Sequence, residues 1–204
     1  ALTARAPLSG VYLEEHRAPR RVIEVELPAE YDEAIWPMLG WLAGQAAPDR
    51  IPVLRGLEGA APNEDDLKAL CAAFGTTSAA PMLHVAGVTP EADLPPVAEA
   101  DTFRLTSDDL RRVWRQFNAG AATVDLVAFG SPHFSHAECR ALDTALAGRK
   151  RHADTAVIVT LGQDTLQAAR DDGTVARLEA AGVQVVPDIC WCSISEPVFP
   201  PSAK

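Results

Sequence analysis

The sequence predicts an α/β protein built on a parallel sheet with flanking helices. Three short apolar runs in the second half carry that prediction: Val124 to Phe129, Thr155 to Thr160 and Val183 to Val186. Helical stretches at 135–147 and 163–181 separate them, the latter interrupted by Asp171-Asp172-Gly173. Strands that alternate with helices are joined by crossovers, and crossovers make neighbouring strands parallel. At 204 residues, 48% of them hydrophobic and 23% charged, the chain is long enough for one large domain or two small ones with a buried core.

The first half follows the same logic less regularly. Residues 1–21 show no period, carry several Arg and Pro, and are expected to wrap a surface. Val22 to Leu27 alternates as a half-buried strand does. Residues 31–44 read as a helix with Trp36, Leu39, Trp41 and Leu42 facing inward and Pro37 in its first turn or at a kink. Ile51 to Leu54 is a short strand. Asn63 caps the next helix, with acids in its first turn, and Gly75 is expected to end it in a left-handed cap. Residues 92–105, with Pro95-Pro96 and several acids, read as an exposed linker. Thr106 to about Asn118 is a helix.

Charge and cysteine content narrow the function classes. A net charge of -10 argues against a nucleic-acid partner, which needs clustered Lys and Arg. The basic run Arg149-Lys150-Arg151-His152 follows a helix end, where cations complement the helix dipole. No apolar stretch approaches the roughly 20 residues of a membrane helix. The chain begins at Ala1 without Met, which suggests processing or a piece of a longer protein. Four cysteines do not make a secreted disulfide framework, and a reducing cytoplasm suits them. Cys71 lies in an apolar helical stripe as a core residue, whereas Cys139, Cys190 and Cys192 sit near turns that a metal or substrate can reach.

In a parallel sheet, ligands bind at the edge where the strands' carboxyl ends open. The residues there are Gly130-Ser131-Pro132-His133, Leu161-Gly162-Gln163 and Pro187-Asp188-Ile189-Cys190-Trp191-Cys192, and two of the three groups suit chemistry. The His133 imidazole can orient a substrate or move a proton. Ser135 and Glu138 have capping-box spacing, which either satisfies a helix start or faces a ligand there. Asp188 either binds substrate or caps its turn. Cys139, near a helix N-terminus, has the setting of a thiolate ligand. The residues argue against a serine-hydrolase site: Gly130-Ser131-Pro132-His133 is not the G-x-S-x-G elbow, and Pro132 removes the amide an oxyanion hole would use after Ser131. Residues 76–91 are rich in hydroxyls and small side chains. Thr76, Thr77, Ser78 and His84 either line a ligand or satisfy a buried connection's own backbone.

Taken in order, several of these strings resemble the aconitase X family. They are Phe74-Gly75-Thr76-Thr77-Ser78; His84-Val85-Ala86-Gly87-Val88-Thr89-Pro90-Glu91-Ala92; Val124 to Ser135 with Glu138; and Val186-Pro187-Asp188-Ile189-Cys190. The resemblance runs from about Val22 to Pro200. It implies aconitase-like α/β/α domains, with residues 1–100 completing an upstream domain and 101–204 forming a C-terminal domain. It also implies a dehydratase holding an iron–sulfur cluster, taken as the 2Fe–2S type. Cys190 matches the family's Asp-x-Cys ligand, and Cys139 is the candidate for a second. Ser131 stands where the archaeal type has cysteine. That favours the bacterial single-chain type, which dehydrates cis-3-hydroxy-L-proline to Δ1-pyrroline-2-carboxylate, over a mevalonate 5-phosphate dehydratase. On this resemblance Ser131, His133 and Ser135 are catalytic, and Thr76, Thr77, Ser78, His84 and Asp188 bind a small hydroxy-acid or imino-acid substrate. The rest of the site lies in an N-terminal part not included in these residues. A non-catalytic α/β domain that binds a small molecule or partner is the competing class.

Overall fold

The structure, a computed structural model, describes residues 4–190. Expectations for Trp191 and Cys192 therefore fall outside the described residues. Contacts divide the chain into two units, Ala1–Ala119 and Gly120–Lys204.

The first unit contains β1 (Arg21–Val25), α1 (Ile35–Ala46), β2 (Pro52–Arg55), α2 (Glu64–Thr77), β3 (His84–Val85), β4 (Asp101–Leu105) and α3 (Ser107–Phe117). Its sheet is parallel throughout, in the order β3-β2-β1-β4. The half-buried alternation expected for β1 does not hold: Val22 and Ile23 are adjacent and both buried. β1 lies between β2 and β4, and inner strands of parallel sheets are covered on both faces. In α1, Pro37 occupies the first turn, and Trp36, Leu39 and Leu42 are buried while Trp41 packs at the margin. The helix lies close against α2, because a Cβ at Gly40 would overlap the carbonyl of Leu70.

Asn63 and Asp66 form a reciprocal capping box at the start of α2. Gly75 does not end that helix. α2 runs on to Thr77, with Thr76 Oγ1 donating to Ala73 O at 2.6 Å. Cys71 is also misplaced by the sequence reading. The buried stripe of α2 is Leu70 and Phe74, and Cys71, one residue past Leu70, is turned outward and exposed. The end of the expected 92–105 linker is a strand, since β4 pairs with β1 from Arg21–Asp101 to Val25–Leu105. The Arg21 guanidinium also pairs with the Asp101 carboxylate. β4 and α3 thereby belong to the first unit, and the division falls after Ala119 rather than after residue 100.

The second unit contains β5 (Leu126–Phe134), α4 (His136–Leu146), β6 (Ala156–Leu161), α5 (Gln163–Asp171), α6 (Thr174–Ala180) and β7 (Val183–Pro187). The sheet order is β5-β6-β7, again parallel. Its core gathers Val159, Leu161, Leu166, Ala169, Val175, Leu178 and Val183. Arg149 caps α4 as its position predicts, donating from Nε to Leu146 O at 3.2 Å and from Nη2 to Ala145 O at 2.5 Å.

The break between α5 and α6 is held by Asp172. One carboxylate oxygen accepts from Thr174 N at 2.9 Å, and the other meets His136 Nε2 at 2.8 Å. The Thr174 hydrogen bonds, with a smaller contribution from His136, hold this carboxyl well below the usual carboxylate range. A carboxyl with a depressed folded value stabilises fully above its ordinary 3.8 and loses that contribution as pH falls through the depressed value. Asp172→Asn is therefore expected to lower the thermal midpoint at every pH above 3.8. The gap to wild type should shrink on further acidification, and a gap independent of pH in thermal melts would contradict the role of charge here.

Candidate active site at the carboxyl edge of the C-terminal sheet

The string Gly130-Ser131-Pro132-His133 is not the turn its composition predicts but a bulge inside β5. Phe129 pairs with Val159 and Phe134 with Leu161, so five steps along β5 face two along β6. The surplus residues must leave the ladder. The rings of Phe129 and Phe134 pack across the gap with centroids 5.5 Å apart. Gly130 takes a φ of 107°, and its carbonyl accepts a hydrogen bond from the buried Thr160 Oγ1 at 2.8 Å. The Ser131–Pro132 peptide bond is cis. Ser131 is exposed and His133 half-buried.

The other two strand ends meet this bulge. Asp188, with a φ of 60°, donates its amide to Leu161 O at 2.8 Å, and its carboxylate accepts from Gln163 N at 3.2 Å. Asp188 thus spans the exits of β6 and β7 and sits on the first amide of α5, the capping role open to it from sequence. Two residues on, the half-buried Cys190 thiol lies 3.5 Å from Ser131 Oγ. The two segments expected to carry chemistry, 59 residues apart, are therefore in contact at the sheet's carboxyl edge.

Ser135 does what a capping box requires: its hydroxyl accepts from Glu138 N at 3.1 Å, and Glu138 Oε2 accepts from Ser135 N at 2.7 Å. Cys139 is fully buried in the core cluster with Val159 and Leu161. That is the setting of a packed thiol. Among the described residues no group of three or more His, Cys, Asp or Glu side chains is placed to hold a metal. Thr160 was not anticipated. Its one signal in the sequence is a hydroxyl at the end of an otherwise apolar run.

The candidates of the first unit are engaged with main chain. Thr77 Oγ1 donates to Trp41 O at 3.0 Å, and Ser78 Oγ donates to Ala47 O at 2.6 Å while accepting from Ala80 N at 3.0 Å. His84 is wholly buried; its Nε2 meets Arg17 O at 2.8 Å, and its Nδ1 has no hydrogen-bond partner among the described residues. Glu91, at the far end of the same string, pairs with the Arg17 guanidinium at 2.5 Å. Between them Thr89 Oγ1 accepts from Val85 N at 2.9 Å, and Gly87 takes a φ of 70°. The string therefore clasps Arg17 by both its carbonyl and its guanidinium. Sequence reading alone did not connect it with residue 17.

Two parallel α/β units in tandem, the second with a Ser–Cys pair at its carboxyl edge, define the class of protein. Residues 19–115 match the family profile described as aconitase X second domain, and residues 124–204 match the aconitase X third domain. The chain belongs to the aconitase X family. It is 43% identical over 212 residues to the cis-3-hydroxy-L-proline dehydratase of Pseudomonas aeruginosa and 40% identical over 213 residues to that of Hypocrea jecorina. Both alignments cover 100% of this chain but 36% of the relative, so the chain spans about a third of their length. The phosphomevalonate dehydratase large subunit of Methanocaldococcus jannaschii is 27% identical over 197 residues, covering 93% of this chain and 48% of that protein. The fold matches the crystal structure of holo-form aconitase X from Thermococcus kodakaraensis. There the TM-score is 0.81 at 24% identity, over 90% of this chain and 47% of that one. No described helix is long and apolar enough to cross a membrane.

Proposed function

We propose that these residues are the second and third domains of a cytoplasmic iron–sulfur hydro-lyase that dehydrates cis-3-hydroxy-L-proline to Δ1-pyrroline-2-carboxylate. The observation that carries this reading is the Cys190–Ser131 contact, 3.5 Å long, at the carboxyl edge of the second sheet. The substrate follows from the two dehydratases that are 43% and 40% identical, against 27% for the phosphomevalonate enzyme.

The thiol of Cys190 fits a cluster ligand: it stands at an accessible strand end, beside a hydroxyl that can donate to a thiolate. Cys139 fits less well, sealed among aliphatic side chains, and its role as second ligand rests on the family resemblance alone. When bound, the cluster would supply a Lewis acid for the departing hydroxyl. Four ligands are usual for such clusters, so Cys190 and Cys139 do not complete the set by themselves.

The reaction removes the proton alpha to the carboxylate and the 3-hydroxyl, releasing water and leaving an enamine that tautomerises to the cyclic imine. His133 and Ser131, on the same bulge, are the groups that bind the carboxylate or pass a proton there. The rigid backing of Thr160 holds the bulge in place. Asp188 and Ser135 shape the edge through the two helix starts they cap. Thr76, Thr77, Ser78 and His84 shape the scaffold of the first unit.

The test is anaerobic purification of the complete protein, assay for iron and acid-labile sulfide, and incubation with cis-3-hydroxy-L-proline. The expected result is iron together with formation of the pyrroline. Iron with turnover of mevalonate 5-phosphate instead would move the protein to the other branch. Neither iron nor turnover would leave a non-catalytic binding domain.

A further inference from the structure

The open end of the first unit, formed by β4 and α3, has the features of an interface whose partner is not among the described residues. β4 is the last strand of its sheet, and no described strand pairs with its outer edge. Four consecutive residues, Asp101 to Arg104, are exposed, so both faces of this strand are open. Parallel sheets are ordinarily covered on both faces, and bare strand edges are ordinarily protected.

The helix that follows repeats the pattern. α3 buries Leu110 and Val113 inward, yet Trp114 and Phe117 each remain 48% exposed, with Phe103 of β4 at 42% and Tyr31 at 43%. Tyr31 and Trp114 border a crevice of about 400 Å³ between the β1–α1 connection and α3. That crevice lies where the sheet order reverses, β2 and β3 continuing from β1 on one side and β4 on the other, the place at which α/β sheets receive ligands.

Part of its polar rim is used locally, while Glu30 and Arg115 stand exposed at the margin. Arg111 pairs with Asp108 at 2.8 Å, and an Asp32 carboxylate oxygen accepts from Ala34 N at 3.0 Å. Ile35, Met38 and Leu110, themselves buried, form the crevice's apolar floor, and the exposed rings of Tyr31 and Trp114 stand over it. An aromatic and aliphatic centre with charged residues confined to the margin is the make-up of a protein interface, not of a pocket for a small zwitterion.

We propose that the β4–α3 end is the docking surface for the domain that precedes these two in the intact polypeptide, with Trp114 at its centre. The occupant follows from chain length. These residues match the second and third domains of their family and span 36% of the dehydratases they resemble. A preceding domain is therefore available in cis, and covalent linkage holds it at high effective concentration.

The test places the photocrosslinker p-benzoylphenylalanine at position 114 of the complete protein, an aromatic-for-aromatic change at a half-exposed site. Irradiation should link position 114 to peptides upstream of Ala1. Crosslinks confined to residues 120–204, links between two copies, or no crosslink at all would overturn the assignment. Hydrogen exchange supplies a second measurement. Trp114→Glu in the complete protein should speed exchange of residues 107–117 by about tenfold, the effect of losing one central interface residue, and leave residues 156–161 unchanged. Unaltered exchange in 107–117 would refute the proposal. Neither readout depends on iron content or turnover, so both stand apart from the proposed reaction.

Discussion

Cys190→Ser in the complete protein is expected to abolish iron content and turnover together. The substitution is nearly isosteric, and serine can keep a hydrogen bond to Ser131 Oγ, now 3.5 Å from the thiol. Folding should therefore be unaffected, because Cys190 is half-buried beyond the end of β7 and outside the core cluster. What is lost is thiolate character, which a hydroxyl cannot supply near neutral pH. Ser131→Ala separates the possibilities: it removes the neighbouring hydroxyl but no thiolate, so iron should be retained while turnover falls. Unchanged iron loading in Cys190→Ser, measured on anaerobically purified protein, would remove Cys190 from the ligand set. Loss of iron in Ser131→Ala would show that the hydroxyl, too, is needed to hold the metal.

Gly130→Ala should be the most destabilising single-methyl change at the site. Gly130 adopts a φ of 107°, a region L side chains rarely enter, and an added Cβ would overlap both the carbonyl and the hydroxyl of Thr160. Backbone strain of this kind costs on the order of 1–3 kcal/mol, and forcing a methyl into a packed contact costs a similar ~1–3 kcal/mol. The variant should thus unfold at clearly lower denaturant, by roughly 2–6 kcal/mol if the two effects add. Shortening Thr160 to Ala removes the hydroxyl but leaves its carbonyl in place, so the double variant should recover only part of the loss. A Gly130→Ala protein of wild-type stability in urea titrations would mean that the bulge does not have this geometry.

The α/β class was legible because each apolar run is short, rich in β-branched residues and followed by a helical stretch, features that depend only on neighbours in sequence. The errors arose where distant partners decide. Val22 and Ile23 look like part of an alternating half-buried strand until β2 and β4 flank them. Asp101 to Leu105 looks like linker because four of its five residues are exposed, and only pairing with β1 makes it a strand. Gly75 carried a sound stop signal that two following threonines, bonding back to the helix and to α1, overrode.

At the candidate site, the rule that strand ends converge brought two segments to one edge, where the structure has them in contact, but could not say which residues touch. The Cys190–Ser131 contact needs the order β5-β6-β7, and the bulge that presents Ser131 needs the resumption of pairing at Phe134. The clasp on Arg17 was illegible for the same reason, since His84 lies 67 positions from its partner.

The anchoring of Asp188 bears on how well Cys190 can be aimed. Its amide and carboxylate are both fastened to residues flanking the exit of β6, so the free tether carrying the thiol is only two residues long. Two residues reach at most about 7 Å, and a tether that short sweeps a small volume. The thiol's position is thus dictated by a neighbouring strand rather than by its own segment. Any group that the sulfur is proposed to hold would have to be brought to a fixed point, because the sulfur has little freedom to go and meet it.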